Sequence, residues 1–254
     1  MSRYFIEIAY KGTVFNGIQI QLAGLTVQGE INRALSTIFK QEIQTTTASR
    51  TDAGVHAQQN FLHFDIEHVI PSSLLYSMNA ILHADIVVKN MFAVGEEAHA
   101  RFDAIGRKYL YYVTAQKNPF CKETAYYFPF QLDVEKMNQA AKLLLQHHDF
   151  TSFSKRNTEV KTNNCSIAYA FWSQEESGML CFTIEANRFL RGMVRGIVGT
   201  LLQVGRGKLT IPEFEEIILS KDCTLADFSA EAQGLFLHRV IYPDGVLLHA
   251  LPHR

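Results

Sequence analysis

The sequence predicts an α+β protein made of two tandem βαββαβ halves. Three observations carry this reading. Strand-like alternation and helix-like stripes succeed one another in the same order twice along the 254 residues. Helix-start signals, Thr26 and Pro212, fall where the helical stripes begin. Hydrophobic residues make up 47% of the chain, enough for a sizeable core. At about 150 residues per domain, this length suits one large or two modest domains.

In the first half, Arg3 to Tyr10 alternates as a strand. Thr26 caps a helix with the apolar stripe Val27, Ile31, Ala34, Leu35 and Ile38. Two strands follow. Ile43 to Ala48 is rich in β-branched threonine; in Asn60 to Asp65, Phe61, His63 and Asp65 alternate with Leu62 and Phe64. A helix over 71–82 and a strand from Ile86 to Val94 complete the half. The second half opens near Arg107. It reads as a strand Lys108 to Thr114, a helix Val134 to Gln146, strands Ser166 to Trp172 and Met179 to Glu185, and a helix Arg188 to Val204. An extra helix spans Pro212 to Leu219, and Leu235 to Ile241 closes as a strand. This order implies split-βαβ units, ferredoxin-like or RRM-like, with mixed and mainly antiparallel sheets. The expected domains are 1–105, carrying the Asp52 loop, and 106–254, carrying a tyrosine strand and a basic helix. A central cleft between the halves is the natural place for a substrate. The halves share no residue-level similarity, so the repeat is architectural.

Composition narrows the function classes. Lys plus Arg is 24 and Asp plus Glu is 25, so net charge selects no partner, and any anion-binding surface must come from local clustering. Met1-Ser2-Arg3-Tyr4 leads directly into a strand pattern, without an apolar export region. No apolar run approaches membrane-spanning length, so a cytoplasmic chain without a membrane partner is expected. Cys121, Cys165, Cys181 and Cys223 lie far apart and are expected as free thiols. The ten histidines form no metal motif; His147 and His148 are adjacent and point different ways on a helix. No metal is expected.

The octapeptide Ser49-Arg50-Thr51-Asp52-Ala53-Gly54-Val55-His56 is the most informative stretch. Asp-Ala-Gly is poor helix and strand material and reads as a loop between two strands, a common place for chemistry. Arg50 lies two residues from Asp52, and a nearby cation favours an ionised carboxylate. That suits a nucleophile or anionic stabiliser better than a general acid. Asp-x-Gly alone suits equally an Asx-turn in which Asp52 only pairs with Arg50.

A second signal lies between Ala186 and Pro212, with five basic residues and no acidic one: Arg188, Arg191, Arg195, Arg206 and Lys208. At about 100° per residue, Arg188, Arg191, Gly192, Arg195 and Gly199 share one helix face, opposite Leu190, Met193, Val194, Ile197 and Leu201. Glycine inside a helix costs about 1 kcal/mol against alanine, which makes sense where something approaches the backbone closely. Guanidinium forks match phosphate oxygens, and Arg101, Arg107 and Lys108 would extend such a patch toward RNA. A solvated charged face with a helix packed on its glycines fits the pattern as well. A third signal is Arg107-Lys108-Tyr109-Leu110-Tyr111-Tyr112, where Tyr109 beside two cations suits stacking on a base. The alternative is an ordinary core tyrosine.

Taken in order, these stretches resemble the TruA-type tRNA pseudouridine synthases over nearly the whole chain. Residues 49–56 look like the family's catalytic loop. His99-Ala100-Arg101-Phe102 with Arg107-Lys108-Tyr109 looks like its second motif, and Asn187-Arg188-Phe189-Leu190-Arg191-Gly192-Met193-Val194-Arg195 with Ile197-Val198-Gly199 like its third. Ala232-Gln233-Gly234-Leu235 looks like the fourth, and Asp149-Phe150-Thr151-Ser152-Phe153 also matches. The first loop departs: Tyr10-Lys11-Gly12 and Gly17-Ile18-Gln19 stand where the family usually has Tyr-Asp-Gly and Gly-Trp-Gln. Asn79-Ala80 is kept, but Leu82-His83 replaces the usual Leu-Pro.

The resemblance implies isomerisation of uridine to pseudouridine in the anticodon stem-loop of tRNA, at positions 38–40, by a homodimer. The N-glycosidic bond breaks, the uracil turns over and rejoins through carbon. Nothing is released and no redox equivalent is consumed, so no cofactor is implied. Asp52 would be the nucleophile toward the ribose or otherwise assist glycosidic cleavage, Arg191 its ion-pair partner, and Tyr109 the ring that stacks on uracil. The nucleotide must flip out of its stem; Arg50 would fill the gap and Leu235 would wall the pocket. His56, Arg188 and Arg195 complete the implied substrate-binding set. Two rivals remain. An Asp-dependent nucleoside hydrolase normally needs a second carboxylate, and only Asp65 and Glu67 lie near the motif. A non-catalytic RNA-binding module would need the arginines but not Asp52.

Overall fold

The computed structural model describes residues 1–67, 70–71, 73–155, 161–247 and 249–250. In chain order its elements are β1 (Ser2–Tyr10), α1 (Val27–Phe39), β2 (Thr46–Thr47), β3 (His56–Ile66), α2 (Leu74–Ile81), β4 (Ile86–Val94) and β5 (Gly106–Thr114). There follow β6 (Tyr126–Tyr127), α3 (Val134–Leu143), β7 (Ile167–Gln174), β8 (Leu180–Ala186), α4 (Met193–Gly205), α5 (Ile211–Ser220), β9 (Leu235–Ile241) and β10 (His249–Ala250). The protein is α+β, with mainly antiparallel strand pairing. By its contacts the chain forms two compact units, Met1–Ile105 with Leu237–Arg254, and Gly106–Phe236. The tail expected in a second domain 106–254 therefore lies with the first unit from Leu237 onward.

In the first unit the strands run β10, β4, β1, β3, β9, with β2 paired to β3. β1 is antiparallel to both β3 and β4, with Ile6 opposite Leu62 and Met91. Its residues Phe5, Ile6, Glu7 and Ile8 are all buried, as a central strand covered on both faces requires. Thr26 caps α1 by accepting from the Gly29 amide, and Val27, Ile31, Ala34 and Leu35 are its buried stripe. The strand expected at Ile43 to Ala48 shrinks to two residues. Its backbone bonds to α1 side chains instead: Ile43 N–H to Ser36 Oγ at 2.9 Å and Thr45 N–H to Asn32 Oδ1 at 3.2 Å. The following strand is longer than expected, because its pairing with β1 continues back to Ala57. The helix expected over 71–82 begins at Leu74; Ser72 lies outside the described residues.

In the second unit β5, β8 and β7 form an antiparallel ladder, and β6 lies parallel to β5. α3 packs on α4 and β7. A capping box of Thr210 and Glu213 starts α5, with Pro212 in the first turn.

The helix expected from Arg188 starts five residues later, at Met193. Its cap is Gly192, at φ 77°, a left-handed conformation that favours glycine. Arg188 and Arg191 thus precede the helix and share no helical face with Arg195. α4 is buried nearly all round, with Gly196, Val198, Gly199 and Thr200 enclosed along with Val194, Ile197 and Leu201. What approaches its glycines is protein. A Cβ on Gly199 would sit 2.1 Å from the Asp227 carbonyl oxygen, and one on Gly196 would sit 2.7 Å from the Phe228 ring.

Candidate active site

Asp52 sits in a turn closed by the Val55 amide, which donates to the Asp52 carbonyl at 3.2 Å, with Gly54 at φ 78°. Several hydrogen bonds fasten the turn's flanks. Tyr10 and Thr51 share a buried hydroxyl–hydroxyl hydrogen bond of 2.7 Å. Asn60 Nδ2 donates to the Ser49 carbonyl at 3.0 Å, and the Ile18 amide to the Thr51 carbonyl at 3.2 Å. Burial pushes the Tyr10 phenol up to about 12, so it stays a neutral hydroxyl partner.

The segment after β1 presses directly on the turn. A Cβ on Gly12 would fall 2.0 Å from the Val55 carbonyl oxygen, and one on Gly17 would fall 2.7 Å from the Thr51 carbonyl oxygen. Phe15 and Ile18 are fully buried here. Ile18 therefore fills a core position, where an aliphatic serves as well as a flat ring, and is not placed to stack on RNA. Gly12, Gly17, Tyr10 and Asn60 carry this support; the sequence marked Tyr10, Gly12 and Gly17 only as parts of the loop that departs from the family's, and nothing in it singled out Asn60.

His56 is also part of the support. It is 1% exposed, and its Nδ1 accepts the Gly12 amide at 2.9 Å. Expected among the substrate contacts, the ring is enclosed here and orders the loop through the Gly12 amide.

Asp52 itself is partly exposed, and its carboxylate makes no hydrogen bond or ion pair among the described residues. Arg50 is exposed and likewise makes none. The expected Arg50–Asp52 pair is thus not formed, and with it goes the reading in which Asp52 only closes a salt-bridged turn. A carboxylate held rigidly, reachable by a ligand and with its oxygens uncommitted is equipped for nucleophilic attack.

In the second unit, Tyr109 lies on β5 opposite Ile184 of β8. It is largely buried, with its ring edge-on to Phe189 at 5.0 Å. Leu235 is buried at the start of β9. Gly234 before it has no room for a side chain: a Cβ would meet the Tyr111 ring at 2.8 Å. The Tyr111 hydroxyl donates to the Glu231 carbonyl at 2.7 Å, tying β5 to the segment that presents Leu235.

The three arginines occupy three environments. Arg191 is exposed, its side chain without a hydrogen bond or ion pair among the described residues, while its carbonyl accepts the Lys155 amide at 3.0 Å. Arg195 is half-buried, and its Nε donates to the Ala230 carbonyl at 2.6 Å. Arg188 is half-buried near Cys165, whose thiol is pushed up to about 11 by burial against the opposing pull of that guanidinium. Asn187 organises the approach to them: its Oδ1 accepts the amides of Ser166 and Arg188, each at 2.8 Å. Asn187 had no expected role, although it opens the stretch 187–195 that resembles the family's third motif. All four cysteines are unpaired thiols. Among the described residues, no three His, Cys, Asp or Glu side chains cluster as metal ligands, and no helix is long and apolar enough to cross a membrane.

The chain is 50% identical over 246 residues to tRNA pseudouridine synthase A of Parabacteroides distasonis, covering 96% of this chain and 97% of that protein. It belongs to the tRNA pseudouridine synthase family. Proteins of the same name from Porphyromonas gingivalis and Bacillus licheniformis are 47% and 40% identical, over 98% and 93% of this chain and 100% and 98% of their own lengths. A family profile described as tRNA pseudouridine synthase matches residues 140–243, which include the arginine segment and Leu235. The likeness to relatives of full length extends membership to the Asp52 loop.

Proposed function

We propose that this chain isomerises uridine to pseudouridine in tRNA, with Asp52 as the nucleophile. The observation that carries this is the Asp52 turn: an uncommitted carboxylate on a turn fastened from three sides, in a chain related over nearly its whole length to tRNA pseudouridine synthases. The carboxylate attacks the ribose or assists departure of uracil from it. The freed uracil turns and rejoins through its carbon, and the proton displaced from that carbon leaves. Tyr109 stacks on the uracil, Arg191, whose guanidinium like the Asp52 carboxylate makes no ion pair among the described residues, supplies positive charge to the chemical step, and Leu235 borders the base. Arg50, exposed and uncommitted, replaces the flipped nucleotide in its stem. Arg188 contacts RNA. Arg195 acts by holding the Ala230 carbonyl, which leaves it less free for phosphate than its sequence position suggested.

The target is the anticodon stem-loop, and the working form is a homodimer in the cytoplasm, where a tRNA substrate would be met. The two halves are versions of one split-βαβ plan. The hydrolase rival requires a second carboxylate near Asp52, and Asp65 is committed to Arg3, which it meets at 2.7 Å.

The deciding experiment is chemical labelling of pseudouridine in unmodified tRNA, since uridine and pseudouridine have equal mass. Wild type should place pseudouridine in the anticodon arm without releasing uracil. Asp52→Asn should abolish turnover and leave tRNA affinity within a few-fold, because phosphate contacts dominate binding. Release of free uracil, or substantial turnover by the Asn variant, would overturn the assignment.

A further inference from the structure

The chain between β5 and β6 makes a closed excursion that the chemistry above does not use. It leaves at Thr114, and β6 rejoins β5 in parallel, with Val113 opposite Tyr126. Its shape is set from within. Thr114 Oγ1 accepts the Gln116 amide at 3.2 Å, and Asn118 Oδ1 accepts the Phe120 amide at 2.9 Å. The Cys121 carbonyl accepts the amides of Thr124 and Ala125 at 3.0 and 2.9 Å. At its tip Phe120 is 97% exposed. Lys117 and Lys122 flank it; both are exposed and make no ion pair among the described residues.

A single exposed aromatic is common on protein surfaces. One held at the apex of an internally bonded loop between two uncommitted ammonium groups is a different object. The loop's order is prepaid, so stacking there costs little conformational entropy. The flanking charges argue against a contact between two apolar surfaces, since charged residues are depleted from the cores of such interfaces. They suit a polyanion with exposed bases, where aromatic rings take the bases and cations take the phosphates.

We infer that the Phe120 loop is a second RNA contact, in which Phe120 stacks on an unpaired base and Lys117 and Lys122 hold the adjoining phosphates. This rests on the reading of the chain as a tRNA-modifying enzyme. The loop positions the RNA and takes no part in the chemical step.

The test uses the full chain and an unmodified tRNA transcript. Phe120→Ala should weaken tRNA binding about 5- to 150-fold, the range expected for one lost stack. Its single-turnover rate at saturating tRNA should equal that of wild type, and Phe120→Trp should restore affinity. Lys117→Gln with Lys122→Gln should flatten log affinity against log salt by about one unit per lysine. Affinity of Phe120→Ala within two-fold of wild type overturns the inference. So does a Phe120→Ala variant that loses self-association while its tRNA affinity per associated particle stays unchanged, because the loop would then touch another copy of the chain. A wild-type protein that forms no pseudouridine in the same assay refutes the proposed function instead, so the two failures are separable.

Discussion

The Asp52 turn and the arginine segment Arg188 to Arg195 are both short motifs rich in chemistry, yet they are built on opposite principles. The turn is gripped by residues outside it, from Tyr10 and Gly12 before α1 to Asn60 on the strand that follows. The Asp52 carboxylate is left uncommitted among the described residues. The arginine segment is set by local devices: Asn187 capping the next amide, Gly192 in the left-handed region, and α4 beginning behind it. Its side chains take separate roles, Arg191 exposed and Arg195 bonded inward. Under the proposed function Asp52 needs a fixed position, because small displacements of a reacting atom cost large factors in rate. The proposed RNA contact, Arg188, would reach its ligand on a long stem and tolerate looser support.

The largest effect that would test this contrast lies in the glycines. Gly12→Ala places a Cβ against the Val55 carbonyl, which belongs to backbone and has no easy way to yield. We expect a loss of about 3 kcal/mol in chemical denaturation, with a fall in single-turnover rate. Gly192→Ala incurs about 1–2 kcal/mol of left-handed strain, but its nearest neighbour is the flexible Lys155 stem at 3.0 Å. If both substitutions prove equally harmless to rate, the turn is not held as described.

The arginines provide a smaller effect. Arg195→Ala removes a charge-assisted hydrogen bond to Ala230 and should cost about 2 kcal/mol of stability. Arg191→Ala should leave stability within about 0.5 kcal/mol, as for other exposed positions, while lowering the single-turnover rate. Denaturation and pre-steady-state assays on both variants check this; reversed stability effects would mean that the two environments have been misassigned.

The smallest effect concerns a second histidine on β3 that anchors a loop as His56 does. His63 Nδ1 accepts the Ala100 amide at 3.2 Å, and burial, aided by the neighbouring His99 and Arg3, lowers its pKa to about 4. The folded state holds this ring neutral, whereas the unfolded chain protonates it below its ordinary 6.5. Its contribution is thus fully present above that value and is lost as pH falls toward about 4. The stability advantage of wild type over His63→Gln should shrink across that window. A difference that stays constant from neutral to acid pH would refute the neutral anchor.

Much of this protein was legible in its sequence because the signals are local. Alternation along β4, the capped stripe of α1 and the order of elements depend on neighbours within a few residues. Asp52 was singled out by the small-residue turn around it, and family membership by motifs that are contiguous stretches. Tertiary structure decided what each motif residue touches. Periodicity placed Arg188, Arg191 and Arg195 on one helical face, but a helix-like spacing also occurs in a loop, and Gly192 breaks the run. The β-branched run before the turn yielded to α1 side chains that claimed its backbone. The tail from Leu237 joined the first unit because strand pairing respects available edges and not chain order. His56 and Gly12, 44 positions apart, meet in a hydrogen bond that no local pattern encodes. Sequence can state which groups are available; their hydrogen-bond partners, and so which carboxylate or guanidinium remains uncommitted, follow only from the packed fold.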